Sequence, residues 1–279
     1  MAVSPKGHRA RKRFGQNFLQ DSGIIRRIVR SVAPSGQDHL VEIGPGLGAI
    51  TELLLEENGQ LDVVELDRDL IPILRVKFFN YPGFAIHEAD ALKFDFSSLR
   101  QQDEKLRVVG NLPYNISTPL IFHLLSFQGL IQDMHFMLQK EVVDRLAAQP
   151  GTGQWGRLSV MAQYYCDVES LFGVPPECFD PQPKVDSAIV RLTPKVQPTH
   201  LAKDEAQLAN TVRLAFSQRR KTLRNNLRGV LEVEALENLG IDPQRRPETL
   251  TLEEFVKLSN YLSSYLSNYQ TEQAWQPTQ

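Results

Sequence analysis

Leu40-Val41-Glu42-Ile43-Gly44-Pro45-Gly46-Leu47-Gly48 sets three glycines directly after an apolar run and at the start of a helix-forming segment. Glycine permits the tight turn and lets a ligand approach the backbone closely. By itself the loop is ambiguous, because a dehydrogenase, a methyltransferase and a purely structural turn all use one. The next strand ends narrow the choice. Glu65 closes Val63-Val64-Glu65, 21 residues beyond Gly44. From that position an acid in a doubly wound sheet accepts hydrogen bonds from ribose hydroxyls. Asp90 follows a third strand in His87-Glu88-Ala89-Asp90-Ala91, as an acceptor for an adenine amine or as a helix cap. A glycine loop, a ribose acid and an adenine acceptor on consecutive strand ends describe a nucleoside pocket without saying which nucleoside cofactor fills it.

The surrounding pattern gives the frame. Strand-like and helix-like stretches alternate: His39–Ile43 strand, Gly48–Glu57 helix, Leu61–Leu66 strand, Leu70–Phe79 helix, Phe84–Glu88 strand, Leu106–Gly110 strand and Pro119–Leu125 helix. That alternation predicts an α/β fold, a parallel sheet covered by helices. Met134–Leu138 reads as a further strand and Lys140–Ala148 as a helix, and the strand pattern returns near Leu171 and at Val185–Leu192, which would append antiparallel strands at the sheet edge. Thr193–His200, with Pro194 and Pro198, reads as a linker. Beyond it Leu208, Val212, Ala215 and Phe216, then Leu223 and Leu227, recur at helical spacing, and Thr251 with Glu254 forms a capping box. The expected organisation is a catalytic domain over residues 1–199 and a small all-helical domain over residues 200–279.

Val108-Val109-Gly110-Asn111-Leu112-Pro113-Tyr114 is the feature that separates a methyl donor from a hydride carrier. An aromatic amine is a poor nucleophile because its lone pair is delocalised into the ring, so a site must hold the N–H hydrogens out of plane with carbonyl acceptors. Asn111 offers a side-chain oxygen, and the Leu112 carbonyl ahead of Pro113 sits in a stiff X-Pro unit. Tyr114 can stack on an extruded base. In isolation the same tetrapeptide is as well read as a turn with a packed tyrosine. Phe179, in a loop stiffened by Pro175, Pro176, Pro181 and Pro183, is either a second stacking wall or a core anchor.

Composition bounds the rest. Among 279 residues with 42% hydrophobic and 23% charged side chains no apolar run approaches the roughly 20 residues of a membrane helix, so a cytoplasmic protein without a membrane partner is expected. Cys166 and Cys178 lack CxxC spacing and histidine neighbours, and none of the six histidines shows ligand or triad spacing, so neither a disulfide framework nor a metal site is expected. The formal net charge of −2 conceals a bipolar chain. Residues 1–30 carry eight cations, among them Arg11, Lys12 and Arg13, against Asp21 alone, and residues 213–228 carry six, including Arg219, Arg220, Lys221 and Arg224, with no acid. Such segments suit phosphate tracking, or equally two solvated helix faces.

Arg13-Phe14-Gly15-Gln16-Asn17-Phe18-Leu19, the glycine loop, Val63–Asp67, Asn111–Thr118 and Phe179–Leu192 occur in an order that resembles the KsgA-type small-subunit rRNA adenine dimethyltransferases. The likeness runs from Arg11 to about Tyr265 and takes in Phe216–Lys221 and Arg246–Leu250. It implies a Rossmann-like class I S-adenosylmethionine-dependent methyltransferase domain with a helical C-terminal domain that helps hold RNA. It further implies S-adenosylmethionine contacts from Asn17, Leu19, Gly44, Glu65, Asp90 and Asn111, with Tyr114 and Phe179 enclosing the target adenine. The substrate it implies is a pair of adjacent adenosines in the 3′-terminal hairpin of 16S rRNA, each dimethylated on N6 late in small-subunit assembly, by an enzyme expected to be monomeric.

Three rivals stand beside this reading. A macrolide-resistance-type large-subunit methyltransferase shares the fold, and the Asn-Leu-Pro-Tyr-Asn-Ile form with Arg219-Arg220-Lys221 disfavours it by resemblance alone. A non-catalytic ribosome-assembly factor would not need a complete donor pocket. A dehydrogenase would need an acid/base histidine that the sequence does not supply.

Overall fold

The computed structural model describes residues 17–100 and 103–274. In chain order its elements are β1 (Phe18–Leu19), α1 (Ser22–Val32), β2 (His39–Ile43), α2 (Thr51–Asn58), β3 (Gln60–Glu65), α3 (Leu70–Lys77), β4 (Gly83–Glu88), β5 (Leu106–Asn111), α4 (Ser117–Leu125), β6 (Ile131–Gln139), α5 (Lys140–Leu146), α6 (Arg157–Tyr165), β7 (Cys166–Val174), β8 (Phe179–Asp180), β9 (Ser187–Pro194), α7 (Glu205–Ala215), α8 (Leu223–Asn226), α9 (Val233–Asn238) and α10 (Leu252–Ala274).

Seven strands form one sheet in the order β4-β3-β2-β5-β6-β9-β7. β2 through β6 run parallel and β9 pairs antiparallel with β6, the edge arrangement expected from the sequence. The chain runs outward from β2 to β3 and β4, then returns across β2 to lay down β5. The order therefore reverses between β2 and β5, and in open α/β sheets the crevice at the carboxyl ends of such neighbours is where ligands bind. Ile43 pairs with Val64 on one side and Gly110 on the other, so the glycine loop and Asn111 emerge side by side. Gly110 makes that closeness possible, since a Cβ there would lie 2.7 Å from the Ile43 carbonyl oxygen.

Two elements depart from the periodicity. α2 begins at Thr51 rather than Gly48, because Gly48 has φ +78°, outside any right-handed helix. α1 falls within a stretch whose charge masks its apolar stripe. Asp21 caps it by accepting the Ile24 amide at 2.8 Å, and Ile28, Val29 and Val32 are buried. Its C-terminus is fastened from the sheet. Arg107 on β5 donates to Asp133 on β6 at 3.0–3.1 Å, to Asp38 at 2.8 Å and to the carbonyls of Val32 and Ala33 at 2.6 and 3.3 Å. It is 8% exposed.

The chain divides into two compact units, one holding the described residues to Val143 with Asp167–Val196, the other Asp144–Cys166 with the residues from Gln197 onward. This differs from a single break near residue 199. The segment 144–166 packs by its own side chains into the helical unit: Trp155, Val160 and Tyr164 share a core with Leu208, Val212, Leu236 and Phe255, and the Trp155 indole donates to the Leu250 carbonyl at 2.9 Å. The capping box forms as expected, the Thr251 hydroxyl accepting the Glu254 amide at 3.2 Å and Glu254 accepting the Thr251 amide at 2.8 Å.

Candidate active site at the sheet's switch point

A cavity of about 1060 Å³ opens at the carboxyl ends of the parallel strands of the first unit. Asn17, Leu19, Gly44, Glu65, Asp90, Asn111, Leu112, Pro113 and Tyr114 all line it, so residues spread over nearly a hundred positions of sequence converge on one cavity. Gly44 and Gly46 hold φ +67° and +59°, which an L side chain resists. A Cβ on Gly46 would also press on the Phe18 ring at 3.2 Å. The loop is therefore a bare-backbone cradle, clamped from α3 by the Lys77 ammonium on the Gly48 carbonyl at 3.1 Å.

Glu65 is 7% exposed, and one carboxylate oxygen accepts the Asp67 amide at 2.7 Å. Burial pushes its carboxyl up, against the pull of the Asp67, Leu66 and Gly46 amides. The carboxylate so held lines the cavity, where it can also accept from a ligand hydroxyl. The Asp90 carboxylate accepts the Leu92 amide at 3.0 Å, a turn-capping bond that still leaves an oxygen for a ligand amine.

Asn111 Nδ2 donates to the Asn17 carbonyl at 3.2 Å. With its nitrogen engaged, the amide is held in one orientation and Oδ1 is the atom it can offer to an amine. The Leu112 amide donates to the Met137 carbonyl at 3.2 Å, fixing the peptide ahead of Pro113. The Tyr114 hydroxyl lies 3.0 Å from the Ser187 hydroxyl, so the half-buried ring is tethered at its far end.

Phe179 is placed differently from a stacking wall. It is 5% exposed, pairs with Leu19 across the β1–β8 ladder, packs with Val174, Cys178 and Ile189, and is absent from the described cavity lining. Its surroundings are those of a core anchor. Arg11, Lys12 and Arg13 lie outside the described residues. Arg219, Arg220, Lys221 and Arg224 are exposed on the helical unit, on and beside a turn that Asn226 ties down by donating to the Ala215 and Gln218 carbonyls at 2.7 and 3.1 Å.

Glu42 was not singled out by the motif reading, although it stands two residues before Gly44. It lines the cavity, is 2% exposed, and accepts the Thr51 hydroxyl at 2.6 Å. Burial pushes its carboxyl from 4.5 up to about 7, the Thr51 hydroxyl pulling the other way. Because the folded value lies above the unfolded one, the stability that protonated Glu42 contributes is complete below pH 4.5 and is lost as the pH rises through 7. Glu42→Gln, neutral at every pH, is expected to exceed the wild type in unfolding free energy by about 3 kcal/mol at pH 8 and by under about 1 kcal/mol at pH 5. Denaturant titrations of both proteins at the two pH values check this, and a pH-independent difference would refute it.

Known proteins share this sequence and fold. The family model described as ribosomal RNA adenine dimethylase matches residues 7–264. A protein of Hahella chejuensis named ribosomal RNA small subunit methyltransferase A is 65% identical over 92% of this chain and 94% of its own length. One of the same name from Pseudomonas aeruginosa is 61% identical over 94% and 97%. Among solved structures, a dimethyladenosine transferase from Plasmodium falciparum superposes with TM-score 0.74 at 27% identity, covering 86% of this chain and 95% of that one. The 23S rRNA methyltransferase ErmE gives 0.71 at 27%, covering 88% and 100%. A family model that matches nearly the whole chain, with relatives at 61–65% identity, shows its membership: this chain belongs to the ribosomal RNA adenine dimethylase family.

Proposed function

We propose that Asn111, Leu112, Pro113 and Tyr114 present an extruded adenosine of 16S rRNA for N6 dimethylation, while Asn17, Leu19, Gly44, Glu65, Asp90 and Asn111 hold the methyl donor. As a member of its family the protein is an S-adenosylmethionine-dependent rRNA adenine dimethyltransferase. Its substrate is two adjacent adenosines of the 3′-terminal hairpin of the small-subunit RNA. The relatives at 61–65% identity carry the small-subunit name, against 27% for the 23S enzyme, and the complete acceptor set disfavours a non-catalytic assembly factor. We further propose action in the cytoplasm, as a monomer without a metal, on the immature small subunit.

The observation that carries the residue assignment is the fixed amide of Asn111, whose Nδ2 is committed to the Asn17 carbonyl at 3.2 Å. Bound in the cradle, S-adenosylmethionine supplies an electrophilic methyl group on sulfur. Everything else is positioning. Asn111 Oδ1 and the Leu112 carbonyl accept the two N6 hydrogens and turn the lone pair out of conjugation with the ring. The Tyr114 face replaces the stacking that the base loses on leaving the RNA. No strong base is required, because the alkylated amine is acidic and its proton passes to solvent. Phe179, buried in the β1–β8 ribbon, would meet the base only if that ribbon parts as RNA enters.

Glu65→Ala is expected to weaken S-adenosylmethionine binding about ten- to a hundredfold, the loss of a charge-assisted partner for ribose hydroxyls. Calorimetry reads this directly, and unaltered affinity would remove Glu65 from the site. Neutralising Arg219, Arg220 and Lys221 together is expected to lower RNA affinity and cut the slope of log K against log salt by about 2–3. An unchanged slope would take these residues off the phosphate path. Incubation with labelled donor and, separately, naked small-subunit RNA, immature small subunits and large-subunit RNA tests the substrate. Label in the immature subunits is expected, and label confined to large-subunit RNA would overturn the reading.

A further inference from the structure

α1 carries a cationic face that no acid neutralises among the described residues, Arg26 spending only its Nε on the Ser22 carbonyl at 3.2 Å. Arg26, Arg27 and Arg30 stand at i, i+1 and i+4, so they share one side of the helix, and all three are exposed. The opposite side holds the buried Ile28, Val29 and Val32. The helix contains no acid. Asp21, just before it, spends its carboxylate on the Ile24 amide. Among the described residues none of the three arginines forms an ion pair. The Arg27 guanidinium lies 3.9 Å over the Phe172 ring. A stacked guanidinium keeps its in-plane N–H groups directed outward, the geometry that binds phosphate bidentately. The helix itself reaches the cavity at its N-terminal end, where Ser22 and Ile25 line it, so the arginines follow within about one turn.

We propose that this side of α1 is a phosphate-binding surface of the first unit that grips the RNA backbone flanking the target adenosine, outside the cavity. The inference rests on the rRNA reading given above. An adenosine pulled into a pocket drags its neighbouring phosphates to the pocket's edge, and a rigid cationic helix face there offsets their charge while leaving sequence choice to the corner at Asn111. An acidic protein surface is the competing occupant. The stacked, fork-shaped Arg27 favours phosphate.

The test compares wild type with Arg26→Gln/Arg27→Gln/Arg30→Gln and with the corresponding triple Lys variant, on a transcript of the 3′ region of small-subunit rRNA between about 50 and 200 mM salt. The triple Gln variant is expected to bind at least about tenfold more weakly and to lose about 2 from the salt slope, at about 0.7 per single-strand contact. The triple Lys variant should regain most of the slope. S-adenosylmethionine affinity and unfolding midpoint should match the wild type in both variants. A Gln variant with wild-type affinity and slope overturns the inference while leaving the function standing. So does a Gln variant that binds the naked transcript normally and loses affinity only for protein-bearing particles, since the face then docks protein. A Gln variant that also loses cofactor binding overturns it too, because the arginines would then be supporting the fold. A wild-type protein that neither binds nor methylates small-subunit RNA in any form would instead bring down the functional reading beneath it.

Discussion

Asn111→Ala is expected to slow methyl transfer by a factor of about a hundred to a thousand, the range seen when one preorganised polar partner of a reacting centre is removed. The loss should fall mainly on kcat. Phosphate contacts supply most RNA affinity, so retention of the transcript is expected to stay near the wild-type level while turnover collapses. Donor affinity is expected to fall less than turnover. Single-turnover rates with saturating RNA and labelled donor measure the effect, and Asn111→Asp, which keeps an acceptor but not the Nδ2 bond to Asn17, should retain part of the activity. Turnover of the Ala variant within a few-fold of wild type would show that the Oδ1 atom does not hold the target amine.

Arg107→Leu is expected to destabilise the protein by about 3–5 kcal/mol. The guanidinium closes a knot in which β5, β6, Asp38 and the end of α1 all meet, and its removal leaves the buried Asp133, 9% exposed, beside the uncompensated Asp38. Breaking one partner of such a cluster costs more than the cluster was worth. Equilibrium unfolding in urea at neutral pH checks the figure. A loss under about 1 kcal/mol, comparable to that of an exposed ion pair, would mean that water replaces the arginine without strain.

The catalytic frame was legible because its signals are local. Each of the strands β2 to β5 shows an apolar run ended or followed by a residue of distinct chemistry, and Gly44, Glu65, Asp90 and Asn111, found by counting strand ends, line one cavity. What escaped the sequence depends on distant partners. The Arg107 cluster joins residues 26 to 75 positions apart, and His39 and His87, which show no triad spacing, meet on opposite oxygens of Asp62 at 2.9 and 2.6 Å. Glu42 lay inside the quoted motif, but burial alone makes it unusual, and a sequence does not display burial. α1 was masked by its own arginines, although Ile24, Ile25, Ile28, Val29 and Val32 keep helical spacing. The segment 144–166 belongs to the helical unit through Trp155 and Tyr164, contacts that no composition change at residue 199 could disclose.

The most direct test of the claim that this corner aims an adenine amine at the methyl donor is the product itself. Immature small subunits lacking the modification, reacted with the purified protein and S-adenosylmethionine, are to be digested to nucleosides and analysed by mass spectrometry, with the modified positions mapped on the RNA. The account predicts N6,N6-dimethyladenosine at two neighbouring positions of the 3′-terminal hairpin, formed by the wild type and almost absent with Asn111→Ala. Methylation at a ring nitrogen, or dimethyladenosine formed equally well by the Ala variant, would contradict it.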